Sequence, residues 1–192
     1  MSDMRFGIAG AGVIGQLRAA AIAGRAGGTV GAVFDVDESA RTKLAKQYDA
    51  AQAASMEDLV SQSDLDAIVV SSPPQFHESQ VIAALEAGKH VLCEKPLSNT
   101  LDSCATMVRA ASDRGLTLTT GFNHRYFPAI KYIRDTLDQG LIGELDHIRA
   151  FAGHPGLSEF REPWEYDRKI VGGGALMDVG IHMIDLTHYL LG

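Results

Sequence analysis

The most constraining feature of this sequence is a glycine-rich turn near its amino terminus, between an apolar run and a stretch of helical composition. Gly10, Gly12 and Gly15 fit the pattern G-x-G-x-x-G, with Val13 and Ile14 between the last two. Where a strand turns into a helix, the first glycine permits the tight turn and the second lets an anionic ligand approach the backbone. The third lets the helix pack closely on the strand. The pattern therefore predicts that the chain begins as a strand–turn–helix unit of a parallel sheet.

A carboxylate ends the next apolar run, at the position where a bound dinucleotide would need one. Asp35 closes TVGAVFD, where it would accept hydrogen bonds from an adenosine ribose, while the helix N-terminus would hold the pyrophosphate. The alternative is a glycine-rich turn without a ligand, but strand, turn, helix and terminal acid together favour binding. A carboxylate there would repel a 2′-phosphate, and no arginine follows directly, although Arg41 is close enough to weaken the effect. The predicted cofactor is NAD rather than NADP.

Strands and helices alternate along the chain as far as Gly121. The predicted strands are MRFGIAG, TVGAVFD, LDAIVVSSPP, KHVLCEKP and LTLTTGF. The predicted helices are GVIGQLRAAAIAGRAG, SARTKLAKQY, HESQVIAALEAG and LDSCATMVRAASDRG, with Ser39 as a candidate cap of the second and Gly88 as the cap of the third. This order predicts an α/β fold with a doubly wound parallel Rossmann sheet covered by helices on both faces.

The pattern changes after Gly121. A longer helical stretch starts near Pro128, IGELDHIRAFAG has the character of a strand, HPGLSEFREPWEYDRKIVGGG is predicted to be a loop, and a final helix follows. We therefore predict a nucleotide-binding Rossmann domain over residues 1–122 and the beginning of a second α/β domain over residues 123–192. Apolar positions spread over much of the final helix, which predicts cover on more than one side.

Three polar loops follow predicted strands, SSPPQFH, CEKP and GFNHR, and ligands of open parallel sheets bind outside the carboxyl ends of strands. Lys95 is notable because the following proline holds it extended, and its ammonium could hydrogen-bond a reacting oxygen beside a bound nicotinamide. The alternative for Glu94 and Lys95 is a solvated loop pair, and for His77 it is a helix-start residue. Cys93 fits a small buried apolar side chain better than a functional thiol.

A polar stripe interrupts the apolar final helix. At about 100° per residue, one face carries Asp178, His182, Asp185 and Tyr189. A polar stripe on a buried helix needs partners or a function. Oxygen and imidazole donors on one face could also bind a metal, although the sequence offers no obvious further ligands, so we expect none. A third alternative is a helix whose polar side simply faces water.

Composition argues against several classes of partner. The formal net charge is −7 and there is no basic block, which disfavours nucleic acid or an anionic membrane surface as the main partner. The two cysteines suit free thiols in a reducing compartment. No uninterrupted apolar run is long enough to span a bilayer, and the first residues lack a secretory pattern. We therefore expect a cytoplasmic protein.

Five features in sequence order carry a family resemblance: GAGVIG, the Asp35 carboxylate, SSPPQFH, CEKPL and GGGALMDVGIHMIDL. Together they resemble the Gfo/Idh/MocA oxidoreductases, which include inositol, glucose and other sugar or polyol dehydrogenases. The resemblance implies an N-terminal Rossmann domain and a C-terminal α/β domain with a large, mostly antiparallel sheet. It implies a cis bond between Lys95 and Pro96. The residues that it places along the cofactor are Ser72, Pro73, His77, Glu94, Lys95, Asn123 and Arg125.

The resemblance also implies a catalytic trio of Lys95, Asp178 and His182 and a small polyhydroxylated substrate. His182 would take a proton from a substrate hydroxyl, because an unperturbed histidine has a pKa of about 6.5. Lys95 would stabilise the alkoxide as hydride leaves for the nicotinamide, and Asp178 would orient the substrate or His182. Asp185 is expected to be structural. The alternatives to a dehydrogenase are an NAD-dependent glycosidase of the same family and a non-catalytic dinucleotide-binding sensor.

Members of this family have a longer second domain, whose sheet usually forms the interface of a homo-oligomer. We therefore expect these 192 residues to be the amino-terminal part of a longer architecture, complete as a cofactor domain and incomplete as an enzyme. Such a chain is expected to bind NAD, to turn over poorly and to associate through the segment from Asp146 to Gly192.

Overall fold

The computed structural model describes residues 3–153 and 167–192. Contacts between Cα atoms divide the chain into two compact units, Met1–Gly121 and Phe122–Gly192. Within the described ranges, no helix combines the length and the apolar character needed to cross a membrane.

The first unit is built on a six-stranded parallel sheet. Its strands are β1 Met4–Ala9, β2 Gly28–Phe34, β3 Ala51–Gln52, β4 Ala67–Val70, β5 His90–Cys93 and β6 Leu118–Thr120. Their order across the sheet is β3-β2-β1-β4-β5-β6, so the chain builds outward from β1 to one edge and then returns to build toward the other. This is the doubly wound Rossmann order, and it confirms the predicted fold class.

Helices cover both faces of this sheet. They are α1 Val13–Ala23, α2 Glu38–Gln47, α3 Met56–Ser61, α4 His77–Glu86 and α5 Leu101–Asp113. Successive strand residues point to opposite faces, and the buried side chains accordingly form two clusters. Ile8 packs in one cluster with Val33 and Val69, whereas its neighbour Ala9 packs in the other with Ile68. Burial on both faces is why the strands are nearly continuous apolar runs rather than alternating ones.

The sequence predictions miss two short elements and misplace one cap. The strand β3 has two residues and the helix α3 has six, too few for a periodic pattern to stand out. The predicted cap Ser39 is wrong, because α2 begins at Glu38 and the residue before it is Asp37. The Asp37 carboxylate accepts hydrogen bonds from the N–H groups of Ser39, at 2.8 Å, and Ala40, at 3.1 Å.

The loops that follow the central strands start side by side at one edge of the sheet. The N–H group of Ser71, just after β4, donates to the Ala9 carbonyl at the end of β1 across 2.8 Å. The N–H group of Glu94, just after β5, donates to the Val70 carbonyl across 2.9 Å. The polar loops predicted from sequence therefore begin at the same carboxyl edge of the sheet.

The described part of the second unit is helical. It contains α6 Pro128–Asp138, α7 Arg168–Val171 and α8 Ile181–Leu191, and a π-helical turn over Leu176–Gly180 leads into α8. Residues 142–153 pair with no strand in the described ranges, so the strand predicted there is absent; a strand needs a neighbour for its N–H and C=O groups. Of the predicted loop, residues 154–166 lie outside the described residues, and the rest includes the short helix α7, which was not predicted.

Candidate functional site

Two glycines of the amino-terminal turn are required by the fold itself. Gly10 has a φ of +100°, and a Cβ there would lie 2.7 Å from the backbone of Ser71 and Ser72. A Cβ at Gly15 would lie 1.9 Å from the carbonyl oxygen of Gly10. The close approach of α1 to the turn, and of the turn to the loop after β4, therefore leaves no room for a side chain at either position.

Gly12 is different, because no contact among the described residues requires glycine there. Its backbone angles, φ −67° and ψ −170°, are open to any residue, and a Cβ would meet no atom of residues 3–153 or 167–192 within 4 Å. Gly12 is also the N-cap of α1 and offers no side chain to the N–H groups of the first turn. A helix N-terminus with open space before it suits an anionic group such as a pyrophosphate. Val13 and Ile14 follow with exposed side chains.

Asp35 is anchored to this turn through its carboxylate. One carboxylate oxygen accepts a hydrogen bond from the Ala11 N–H group at 2.5 Å, and the other accepts one from the Asp37 N–H group at 2.8 Å. Each oxygen keeps a further lone pair, so the carboxylate can also accept from ribose hydroxyls. The Arg41 guanidinium donates to the backbone carbonyl of Asp35 at 3.2 Å, which places a positive charge beside the same residue.

The loop after β4 is tied to its surroundings by two serines. The Ser71 hydroxyl lies within hydrogen-bonding distance of the Ala9 and Gly10 carbonyls, at 3.2 and 2.9 Å. The Ser72 hydroxyl donates to the Gln80 side chain at 2.7 Å. Pro73 follows, half-buried, before a short 3-10 turn over Pro74–Phe76. The loop is therefore held against the glycine turn.

His77 is fully buried and lies between two loops. Its Nε2 is 2.8 Å from the Ser72 carbonyl oxygen, and its Nδ1 is 2.9 Å from the Pro96 carbonyl oxygen. Burial lowers the pKa of His77, and this outweighs the backbone hydrogen bonds and the Glu94 charge, which act in the opposite direction. His77 is also the first residue of α4, as the alternative interpretation has it. Its ring joins the loops on either side of it.

Glu94 is buried in an ion pair and is not part of a solvated loop pair. The Arg18 guanidinium approaches one Glu94 carboxylate oxygen through Nε at 2.6 Å and Nη2 at 2.5 Å. The next residue, Lys95, is half-buried, and its bond to Pro96 is cis, as the family resemblance implies. Cys93 is fully buried, and burial raises the pKa of its thiol, as expected for a small apolar side chain rather than a reactive one.

In the second unit, Arg125 is bound to the final helix. Its guanidinium makes a two-pronged ion pair with the Asp185 carboxylate, which raises the pKa of Arg125. The rings of Tyr189 and Phe122 lie 5.3 and 5.8 Å from the guanidinium carbon. Asp185 is thus one half of a structural ion pair, as expected. Asn123, two residues before Arg125, is exposed.

His182 is buried among aromatic rings of its own unit. Its ring stacks on that of His124, with centroids 4.0 Å apart and planes 19° apart. Phe122 meets the His182 ring edge-on at 5.9 Å. Asp178 is half-buried in the π-helical turn before α8. Within residues 3–153 and 167–192, no three His, Cys, Asp or Glu side chains are grouped so that they could hold a metal ion.

The predicted site residues thus fall into two groups. The first unit holds the glycine turn, Asp35, the loop after β4 and the Glu94–Pro96 segment, and all of them lie at or next to the carboxyl edge of the sheet. The second unit holds Asn123, Arg125, Asp178 and His182. Sequence reasoning missed Arg18, which stands in no motif, and named His124 only as part of the polar loop GFNHR. Each acquires its partner only through the fold.

The sheet order and the glycine turn define a nucleotide-binding Rossmann domain, followed by a second unit. Residues 4–122 match a family model described as oxidoreductase family, NAD-binding Rossmann fold, and residues 130–192 match one described as the GFO/IDH/MocA C-terminal domain. The chain belongs to the Gfo/Idh/MocA oxidoreductase family, which confirms the resemblance inferred from the sequence motifs.

Most of this chain aligns with relatives in the family. It is 37% identical over 193 residues to an inositol 2-dehydrogenase/D-chiro-inositol 3-dehydrogenase of Shouchella clausii (strain KSM-K16), covering 98% of this chain and 53% of that protein. A solved structure described as a putative NADPH-dependent oxidoreductase from Desulfitobacterium hafniense matches with a TM-score of 0.91 at 26% identity, covering 100% of this chain and 56% of that one. A levoglucosan dehydrogenase solved with NADH and levoglucosan matches with a TM-score of 0.86 at 25% identity, covering 98% and 54%. The chain spans about half the length of the curated relatives it matches.

Proposed function

We propose that this chain binds NAD and supplies the cofactor site and the catalytic residues of a dehydrogenase acting on a secondary hydroxyl of a sugar, polyol or cyclitol. The observation that carries the cofactor proposal is Gly12. The described residues leave open space at this position and make no contact that demands glycine there, so a ligand that must approach the backbone accounts for the residue. The substrate class rests on relatives described as inositol and levoglucosan dehydrogenases.

In this proposal each predicted catalytic residue has its own part in the chemistry. A bound nicotinamide would accept or return a hydride. His182 would take the proton of the substrate hydroxyl, and the Lys95 ammonium would stabilise the negative charge that develops on that oxygen. Asp178 would orient the substrate or His182. The cofactor-lining roles of Ser72, Glu94 and the other predicted residues remain part of the same proposal.

The finer proposal is that NAD is preferred to NADP. Asp35 presents a carboxylate that its two N–H donors hold in place, and a fixed negative charge repels a 2′-phosphate. The Arg41 charge opposes this preference, although its guanidinium already donates to the Asp35 carbonyl. Relatives of both kinds exist, since one is solved with NADH and another is described as NADPH-dependent.

A glycine-to-alanine pair tests the cofactor proposal. Gly12→Ala should leave the melting temperature within about 3 °C of the parent's, because its Cβ meets no described atom and the weaker N-cap preference of alanine is offset by the lower entropy of its unfolded chain. It should weaken NADH binding at least tenfold, since the methyl group would occupy the space where the pyrophosphate approaches. Gly153→Ala is the matched control, because its Cβ would make only ordinary contacts with the described part of the chain, at 3.8 and 3.9 Å, and it lies outside the glycine turn. NADH fluorescence titration and circular dichroism measure the two quantities. Unchanged NADH affinity in Gly12→Ala would show that the turn binds no dinucleotide.

Incubation with NAD and a panel of polyols tests the reaction. Net formation of NADH with a polyol supports the dehydrogenase. Release of a sugar without net NADH would instead indicate a glycosidase, and tight NADH binding with neither outcome would indicate a sensor.

A further inference from the structure

The ion pair between Arg18 and Glu94 joins two parts of the proposed cofactor site. Arg18 lies on α1, the helix whose N-terminus follows the glycine turn, and Glu94 lies in the loop after β5. Nε and Nη2 of Arg18 approach the same carboxylate oxygen, at 2.6 and 2.5 Å. The side chains are only 25% and 11% exposed, so this is not a solvated surface pair. Removing one partner of such a pair leaves the other charge poorly solvated.

The other oxygen of Glu94 is confined by backbone. A Cβ placed on Gly121 would lie 2.6 Å from Glu94 Oε2 and 2.8 Å from its carboxyl carbon. Gly121 is itself fixed, because its N–H group donates to the Cys93 carbonyl at 2.8 Å. The guanidinium on one side and the Gly121 backbone on the other therefore hold the carboxylate in one place.

Glu94 is the residue immediately before Lys95, so this confinement acts on the segment that carries the lysine. The residue immediately after Lys95 is held as well, because the Pro96 carbonyl lies 2.9 Å from the buried His77 ring. Lys95 is thus flanked by two anchored residues, one held by an ion pair and the other by an imidazole. The two anchors come from different helices, α1 and α4.

We propose that Arg18 is a positioning residue that holds the Glu94–Pro96 segment, and with it Lys95, against the helix of the glycine turn. Its functional consequence rests on the proposed role of Lys95, but the positioning itself is a property of the protein without cofactor. Arg18 needs no contact with substrate or cofactor for this role. The pair would keep the lysine at a fixed place relative to the turn that binds the pyrophosphate.

Hydrogen exchange of the chain without cofactor tests the positioning directly. In Arg18→Met, which keeps an apolar stem and removes the charge, the amides of Glu94 and Gly121 should exchange at least tenfold faster than in the parent. The amides of β1 and β2 should be little changed, which separates local loosening from general destabilisation. Arg18→Lys should restore part of the protection, because it restores the positive charge. Arg114→Met is the matched control, since Arg114 pairs with Glu86 at 3.8 Å on an exposed surface.

NADH binding gives a second and spectroscopic test. The emission of bound NADH in Arg18→Met should move toward that of Lys95→Ala, while the NADH dissociation constant stays within about threefold of the parent. If Arg18→Met does not fold, the hydrogen-exchange comparison is made instead with Glu94→Gln, which keeps the shape and removes the other charge. Parent-like exchange at Glu94 and Gly121 in the folded variant, or an equal rise in exchange throughout the sheet, would overturn the inference. Absence of NADH binding by the parent would instead overturn the proposed function, and the hydrogen-exchange result would then decide whether Arg18 is a positioning residue.

Discussion

Replacing Gly15 by alanine sets two effects of opposite sign against each other. Gly15 lies inside α1, where alanine is favoured over glycine by about 1 kcal/mol of intrinsic helix propensity. The added Cβ, however, would lie 1.9 Å from the Gly10 carbonyl oxygen, more than 1 Å inside the closest approach that real Cβ atoms show. The obstacle is backbone and not the end of a flexible side chain, so α1 would have to move away from the turn.

The magnitudes decide the sign. Overpacking typically costs about 1–3 kcal/mol, and a clash with fixed backbone belongs at the upper end or above it. After the propensity gain, Gly15→Ala should lower the free energy of unfolding by about 2 kcal/mol. For a domain of this size each kcal/mol moves the melting temperature by about 4 °C, so a fall of about 8 °C is expected.

The assay is thermal unfolding followed by circular dichroism, with two controls. Ala20→Gly, at an exposed position of α1, measures the propensity effect alone and should lower the melting temperature by about 4 °C. Gly12→Ala adds the same methyl group where it meets no described atom, and the melting temperature should stay within about 3 °C of the parent's because the N-cap and unfolded-chain effects of alanine have opposite signs. A Gly15→Ala chain as stable as the parent, or more stable, would refute the argument that α1 must touch the turn at this residue.

Three further predictions concern pH, cofactor choice and chemistry. Burial lowers the pKa of His77 below its unfolded value of 6.5, so the unfolded chain binds the proton more readily and the free energy of unfolding should fall as the pH drops below about 6.5. In denaturant titrations over a pH series, His77→Gln should reduce this dependence on pH. An unchanged dependence in the variant would contradict the prediction. Asp35→Ser should weaken NAD binding by about 1.5–3 kcal/mol in a binding titration and should reduce the difference in affinity between NAD and NADP. Tighter binding of NADP than of NAD by the parent would disprove the proposed role of Asp35. With a polyol that the parent oxidises, Lys95→Ala and His182→Ala should each reduce turnover by about 10²–10⁴-fold, and His182→Ala should bind NADH with nearly the parent affinity. Near-normal turnover in His182→Ala would show that His182 is not the base.

The features that could be predicted from sequence are those whose cause is local. The glycine turn can be recognised from sequence because its tight backbone geometry admits few residue types. The alternation of apolar runs with amphipathic segments follows from the periodicities of strands and helices. These two signals were enough to predict the doubly wound sheet and the position of Asp35 after β2. The two-residue strand β3 and the six-residue helix α3 were missed because they are too short to show a period.

The strand expected over residues 142–153 failed for a different reason. Its apolar residues have strand character, but a strand is completed by a neighbour, and within the described ranges none pairs with it. The cap of α2 was misplaced by two residues, from Asp37 to Ser39, because both residue types favour helix starts and the sequence does not mark which one precedes the first turn.

The partners of the site residues were decided by tertiary structure alone. Sequence motifs named Glu94 and His77 as cofactor-lining residues, yet the fold gives Glu94 an ion pair with Arg18 and places the His77 ring between two carbonyl groups. It also stacks the His124 ring on His182. The sequence alone determined where the strands end and which polar residues follow them, because strand ends and turns depend on local backbone geometry. Which charges and rings meet there depends on residues far apart along the chain, and only the packing of helices onto the sheet and onto one another brings these partners within contact.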